Sequence, residues 1–184
     1  MRAQINHARR HATFNVSELR RQGYRQIGRG AFSRVFVHPD APDVVIKVGK
    51  RYSPRVGLYD GFPHFAQRIL DHEIASKFYP KVYGLQWSAD KQHFWCVMKR
   101  YTKTASRKKD AHNIDATIST IAGRSKFYPS GKPTGRFKRA LYPFVDVRFV
   151  PDIHVGNVLH DDKGTPIIVD PICIRRGYDN AVYA

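Results

Sequence analysis

The chain has 184 residues, 32 Lys+Arg against 15 Asp+Glu for a formal net charge of +17, and a hydrophobic fraction of 42%. That length suits one domain or two small lobes, and the hydrophobic fraction excludes a disordered chain. No apolar run reaches the roughly 20 residues that a membrane-spanning helix needs, and the opening MRAQINHARRHATF is basic without the apolar stretch of a secretory signal.

The excess of positive charge implies an attraction for nucleic acid, anionic nucleotides or acidic proteins, screened by salt, or else a generically basic surface with no dedicated polyanion site. Cys96 in FWCVM and Cys173 in PICI are far apart and fit no CxxC or Cys/His spacing. Both read as buried free thiols of a protein kept in reducing cytoplasm.

In chain order, residues 1–23 read as a basic N-terminal segment. Residues 24–28 and 33–38 are strand-like and flank the glycine-rich GRGAF, and HPDAPD is a turn by its prolines and aspartates. VVIKVG, 44–49, is a β-branched run expected to form a buried strand. Residues 50–61 read as a loop. Between 63 and 78, Ala66, Leu70, Ile74 and Phe78 recur at i, i+4 and predict a helix, with Glu73 beside its apolar face.

Residues 81–86 and 94–100 read as strands joined by WSADKQH, and 101–109 as a polar, basic stretch. A helix is expected over 111–123, then a turn-rich connector, KFYPSGKPTGRFK, then a second helix over 136–149 broken or kinked at Pro143. The last region, VPDIHVGNVLHDDKGTPIIVDP, reads as loop, short strand, turn, short strand. The fold class that follows is α+β, with a β-rich front half carrying one helix and a smaller, mainly helical half behind it.

Four features suggest a phosphate site. Gly28 and Gly30 let a backbone turn approach phosphate oxygens without a Cβ clash, although a plain hairpin turn would use the same residues. The loop opens no helix and lacks the GK[ST] ending of a P-loop. Lys47 stands in the middle of a strand where a charge is costly unless paired, unless the strand is an edge facing solvent. Glu73 is the best-placed acid to pair with it, with Asp71 as competitor. Finally, Asp152, His154, Asn157 and Asp170 fall within one short stretch and suit metal ligands, turn residues or parts of a catalytic site. Asp152 and Asn157 on one loop, with Asp170 returning on the next strand, would provide a base and hard oxygen ligands for Mg²⁺.

The array Gly28-x-Gly30-x-x-Ser33-x-Val35, Val45-Ile-Lys47, Glu73, Asp152-x₄-Asn157 and Asp170 resembles the protein-kinase signature set in order and spacing. It is more similar still to the early serine/threonine kinases of T7-type bacteriophages, on GRGAFS, His38-Pro39, VIKVG, Asp152-Ile-His-Val-Gly-Asn157 and Asp170-Pro171. The resemblance implies a two-lobed protein-kinase-like fold, with an antiparallel β N-lobe over 24–100 and a reduced C-lobe over 101–184. It also implies an enzyme that uses ATP and Mg²⁺. Gly28, Gly30 and Ser33 would cover the ATP phosphates, Val35 would belong to the same nucleotide site, and Lys47, paired with Glu73, would hold the α/β-phosphates. Met98 to Tyr101 would border adenine, Asp152 would be the base, and Asn157 and Asp170 would hold Mg²⁺.

His154 stands where ordinary protein kinases carry a lysine and would either touch the γ-phosphate or brace the loop. Val150-Pro151 replaces His-Arg before the base, which argues against regulation by a phosphorylated activation loop. Only fourteen residues follow Asp170, so a peptide-docking subdomain is not expected after it. The basic segments KRYTKTASRKK and GRSKFYPSGKPTGRFKR would then dock the partners, expected to be host proteins such as RNA polymerase or translation proteins. Two other readings remain: an inactive kinase-like protein that binds a host enzyme or nucleic acid, and a small-molecule phosphotransferase.

Overall fold

The computed structural model describes residues 1–123 and 131–183, a mixed α+β chain whose sheets are antiparallel. The chain folds as two compact units: Met1–Asp71 with Lys81–Arg100, and His72–Pro80 with Tyr101–Ala184. Among the described residues, no helix is long and apolar enough to cross a membrane.

The first unit is organised by a five-stranded antiparallel sheet. Its strands are β1 (Arg25–Arg29), β2 (Ser33–His38), β3 (Ala41–Lys50), β6 (Val82–Trp87) and β7 (His93–Lys99), in the order β1-β2-β3-β7-β6. The β-branched run at the centre of β3 is buried between β2 and β7, as expected of VVIKVG. Alternation along the strands gives the sheet two different faces. Phe36, Val44, Ile46, Val48 and Val97 point to one side and pack with Ala8, Leu19 and Tyr24. Val35, Val45, Lys47, Cys96 and Met98 share the other side by register.

The first of these faces explains the N-terminal residues. They are not merely a basic segment: α1 (Arg2–His11) and α2 (Val16–Arg21) are helices packed on the sheet. Gln4 anchors α1 through a two-way amide pair with Asp43, its Nε2 donating to Oδ2 at 3.1 Å and its Oε1 accepting from the backbone N–H at 2.9 Å. Asn15 caps α2, its Oδ1 accepting from Ser17 N at 2.9 Å. The first unit therefore carries three helices rather than one. Residues 50–61 also depart from the expected loop, since β4 (Tyr52–Ser53) and β5 (Leu58–Asp60) pair as a small hairpin.

The third helix, α3 (Phe62–Leu70), is shorter than its apolar spacing predicts. Asp71 ends it and His72 takes the left-handed conformation at φ 59°, a helix stop normally written with glycine. The i, i+4 series is thereby divided. Ala66 is buried in the first unit, while Ile74 and Phe78 are buried in the second. Glu73, expected on the helix, lies three residues beyond its end and is exposed.

In the second unit, α4 (Arg107–Ile121) starts earlier than expected, because Arg107–Lys109 form its first turn, and ends at Gly123 with φ 64°. The helix expected over 136–149 is α5 (Gly135–Leu141) followed by a 3-10 turn at Tyr142–Phe144, with Pro143 at the break. Phe78 stacks edge-on with Phe137 at 4.9 Å, and Tyr79 Oη donates to Ala140 O at 2.6 Å. Residues 124–130 of the expected connector and basic docking segment lie outside the described residues.

The remaining strands are short: β8 (Phe149–Pro151), β9 (Val158–His160), β10 (Pro166–Ile168) and β11 (Ile172–Ile174). β9 and β10 form the hairpin expected around DDKG, and β11 pairs with β8. A last short helix, α6, spans Asp179–Tyr183. The unit is thus mixed rather than mainly helical.

Candidate functional site

In the first unit, register decides what meets what. Gly28 pairs with Val35, Val35 with Lys47, and Lys47 with Cys96, so the four lie on one rung across β1, β2, β3 and β7. Ser33 pairs with Gly49 and Met98 with Val45, which adds both residues to the same face. Five of the expected nucleotide-binding residues, Gly28, Ser33, Val35, Lys47 and Met98, are thus gathered by one sheet. The turn between β1 and β2 is closed by Gly30 N donating to Ser33 O at 2.8 Å.

Lys47 is not on an edge strand. It is 6% exposed, and its Nζ stands 3.5 Å from the centroid of the Phe62 ring, which α3 brings over this face. A cation over an aromatic face is stabilised by the ring quadrupole, but by far less than its full hydration is worth. Beneath it, burial pushes the Cys96 thiol up to about 12 despite the lysine beside it, so that cysteine is no nucleophile.

The glycines of this face differ in purpose. A Cβ on Gly49 would collide with the Phe94 ring, so packing inside the unit requires glycine there. A Cβ on Gly28 would make only ordinary contact with Val35 at 3.5 Å, and one on Gly30 would lie 4.0 Å from Ser33 O. Neither glycine has a positive φ. Internal packing therefore does not require glycine at 28 or 30.

In the second unit, two backbone hydrogen bonds bracket Asp170. Asp152 N donates to Pro171 O at 2.8 Å, and Val169 N donates to Asn157 O at 2.9 Å. The two ends of the 152–157 loop are thereby tied to the two residues flanking the carboxylate. Within the loop, Asn157 Nδ2 donates to Asp152 O at 2.8 Å and to Asp152 Oδ2 at 3.1 Å. That double donation orients the amide and leaves its Oδ1 as a hard oxygen for a cation. With the Asp170 carboxylate, the donors are all oxygen, the set that suits Mg²⁺ rather than a soft metal.

Asp152 has a half-exposed side chain, at 37%, with its Oδ1 3.7 Å from His154 Nε2. His154 is tied back into the loop: Gly156 N donates to its Nδ1 at 3.0 Å, which puts the proton of a neutral ring on Nε2. Gly156 is needed there, because a Cβ would come within 2.7 Å of His154 Cε1. Glu73 and Tyr101 also belong to the second unit, and Tyr101 is half-buried just after β7.

Sequence reasoning missed His160. Three residues after Asn157, it is fully buried on β9, with Nδ1 2.8 Å from Thr104 Oγ1 and Nε2 3.0 Å from Asp110 Oδ2. Arg136 Nη2 donates to the other oxygen of Asp110 at 2.9 Å. This chain of polar groups ties the strand that follows the loop to the start of α4. The only signal in the sequence was a histidine closing an apolar strand, which must find partners if buried.

No family model and no curated protein matches the chain. Among solved structures it is similar to the 2.2 Å crystal structure of WbdD, with a TM-score of 0.40 and 18% identity over 79% of this chain and 31% of that one. The chain thus spans about a third of WbdD's length.

Proposed function

We propose that the chain is an ATP-dependent, Mg²⁺-requiring phosphotransferase of the protein-kinase type that acts on Ser/Thr of host proteins. The observation that carries the reading is the pair of backbone hydrogen bonds that hold Asp152, Asn157 and Asp170 together, at the spacing that the kinase signature requires. The Gly28–Val35–Lys47 rung supports it, because it places a lysine on β3 beside a glycine turn whose glycines have no role in internal packing.

Under this reading the glycine turn offers backbone N–H groups to the phosphates, and Lys47 contributes a fixed positive charge. Mg²⁺, when bound, neutralises charge on the transferred phosphoryl group. Asn157 and Asp170 provide its oxygen ligands. Asp152, half-exposed and held by Asn157, accepts the proton of the attacking hydroxyl or orients it. His154 braces the loop that carries Asp152. Val45 and Met98 present the apolar surface beside adenine, with Tyr101 following them. The net charge of +17 suits capture of an acidic protein partner, and such capture weakens with salt.

Transfer from γ-labelled ATP with Mg²⁺ tests the reading, with the protein alone and in a bacterial lysate, beside Asp170→Ala. Labelled protein that disappears in the variant is expected. No transfer, together with no nucleotide binding, overturns it in favour of a basic binding protein.

A further inference from the structure

A second group of polar side chains lies on the opposite side of the first unit's sheet, where α1 meets the turn between β2 and β3. His7 and His11 occupy successive turns of α1 at i, i+4, with ring centroids 4.4 Å apart. The His38 ring at the end of β2 is 4.5 Å from His7, and Asp40 follows in the turn. One ligand atom each from His7, His38 and Asp40 can be chosen such that all lie within 4.8 Å of one another. His38 Nδ1 and Asp40 Oδ2 are 3.7 Å apart, near the roughly 3.4 Å between two ligands of a tetrahedral zinc with bonds of about 2.0–2.1 Å.

We propose that His7, His38 and Asp40 form a binding site for a divalent transition metal of the zinc class, with the fourth position left to water, which staples the N-terminal helix to the β2–β3 turn.

Two features favour coordination over a simple stack of rings. His7 Nε2 is buried and has no hydrogen-bond partner among the described residues, a cost that a metal bond removes. The Asp40 N–H that now donates to His38 Nδ1 at 3.1 Å is in an exposed turn, where water can replace the ring.

The ligand set of two imidazoles and one carboxylate selects zinc, nickel or copper over Mg²⁺ and is distinct from the all-oxygen set of Asn157 and Asp170. Nearby Arg10 and the net charge of +17 repel loosely held cations, so occupancy here requires directed bonds.

Titration of the metal-free, full-length protein with zinc chloride tests the site, followed by calorimetry and thermal unfolding, with cobalt(II) absorption as a geometry probe. One tight equivalent is expected, with a raised thermal midpoint and a tetrahedral cobalt spectrum. His7→Gln, His38→Gln and Asp40→Asn should each weaken binding by about tenfold or more. His154→Gln should not. Zinc binding that survives all three substitutions, or no binding by a folded protein, overturns the proposal and leaves a stack of rings.

Discussion

Lys47 lies in the middle of a five-stranded sheet, 6% exposed over an aromatic ring, whereas Asp152 lies on a six-residue loop with 37% of its side chain open to solvent. The first is positioned by strand register and packing. The second is positioned by hydrogen bonds, from its own N–H to Pro171 and from the Asn157 amide to its carbonyl and carboxylate oxygens. A charge placed the first way depends on its contacts inside the fold, because desolvating an ammonium is costly. A charge placed the second way keeps part of its hydration. The contrast predicts that substitutions in the sheet are read in stability as well as in activity, while substitutions in the loop change activity alone or mainly.

The largest effect is expected at Asp170, where Ala should bring labelled-phosphate transfer to background by removing the proposed Mg²⁺ ligand. Next comes Lys47→Met, which exchanges a buried ammonium for an apolar chain of similar length. Transfer should fall while the thermal midpoint stays close to the parent's, since methionine conserves the volume of the lysine stem. A fall in both would show that the lysine serves the fold.

A smaller contrast separates glycines on one face. Gly49→Ala must displace the Phe94 ring and should destabilise by about 1–3 kcal/mol in denaturant titration. Gly30→Ala, with nothing nearer than Ser33 O at 4.0 Å, should leave stability within about 0.5 kcal/mol while weakening ATP binding. Equal ATP affinity in Gly30→Ala and the parent chain would remove the phosphate-turn assignment.

What could be read from the sequence follows the same division. VVIKVG announced its own burial, because a continuous β-branched run has few other places to go, and DDKG announced the hairpin after Asn157. That turn is held by Asp161 Oδ1, which accepts from Lys163 N at 3.0 Å and Thr165 N at 2.7 Å. The two N-terminal helices were hidden because arginines dilute their narrow apolar stripe of Ile5, Ala8, Val16 and Leu19. The end of α3 was hidden because His72, and not a glycine, takes the left-handed turn. The polar groups around His160 and around His7 and His38 were hidden for another reason. Their partners are distant in sequence, and only the fold brings position 7 to position 38 or 110 to 160.

The central claim rests on Asp152, and the most direct test measures turnover and nucleotide affinity together in Asp152→Asn, which keeps an oxygen for the Asn157 amide. The account predicts Mg²⁺-ATP affinity within about twofold of the parent and transfer reduced by about 10²–10⁴-fold, the usual worth of a positioned base. Transfer at the parental rate would contradict it.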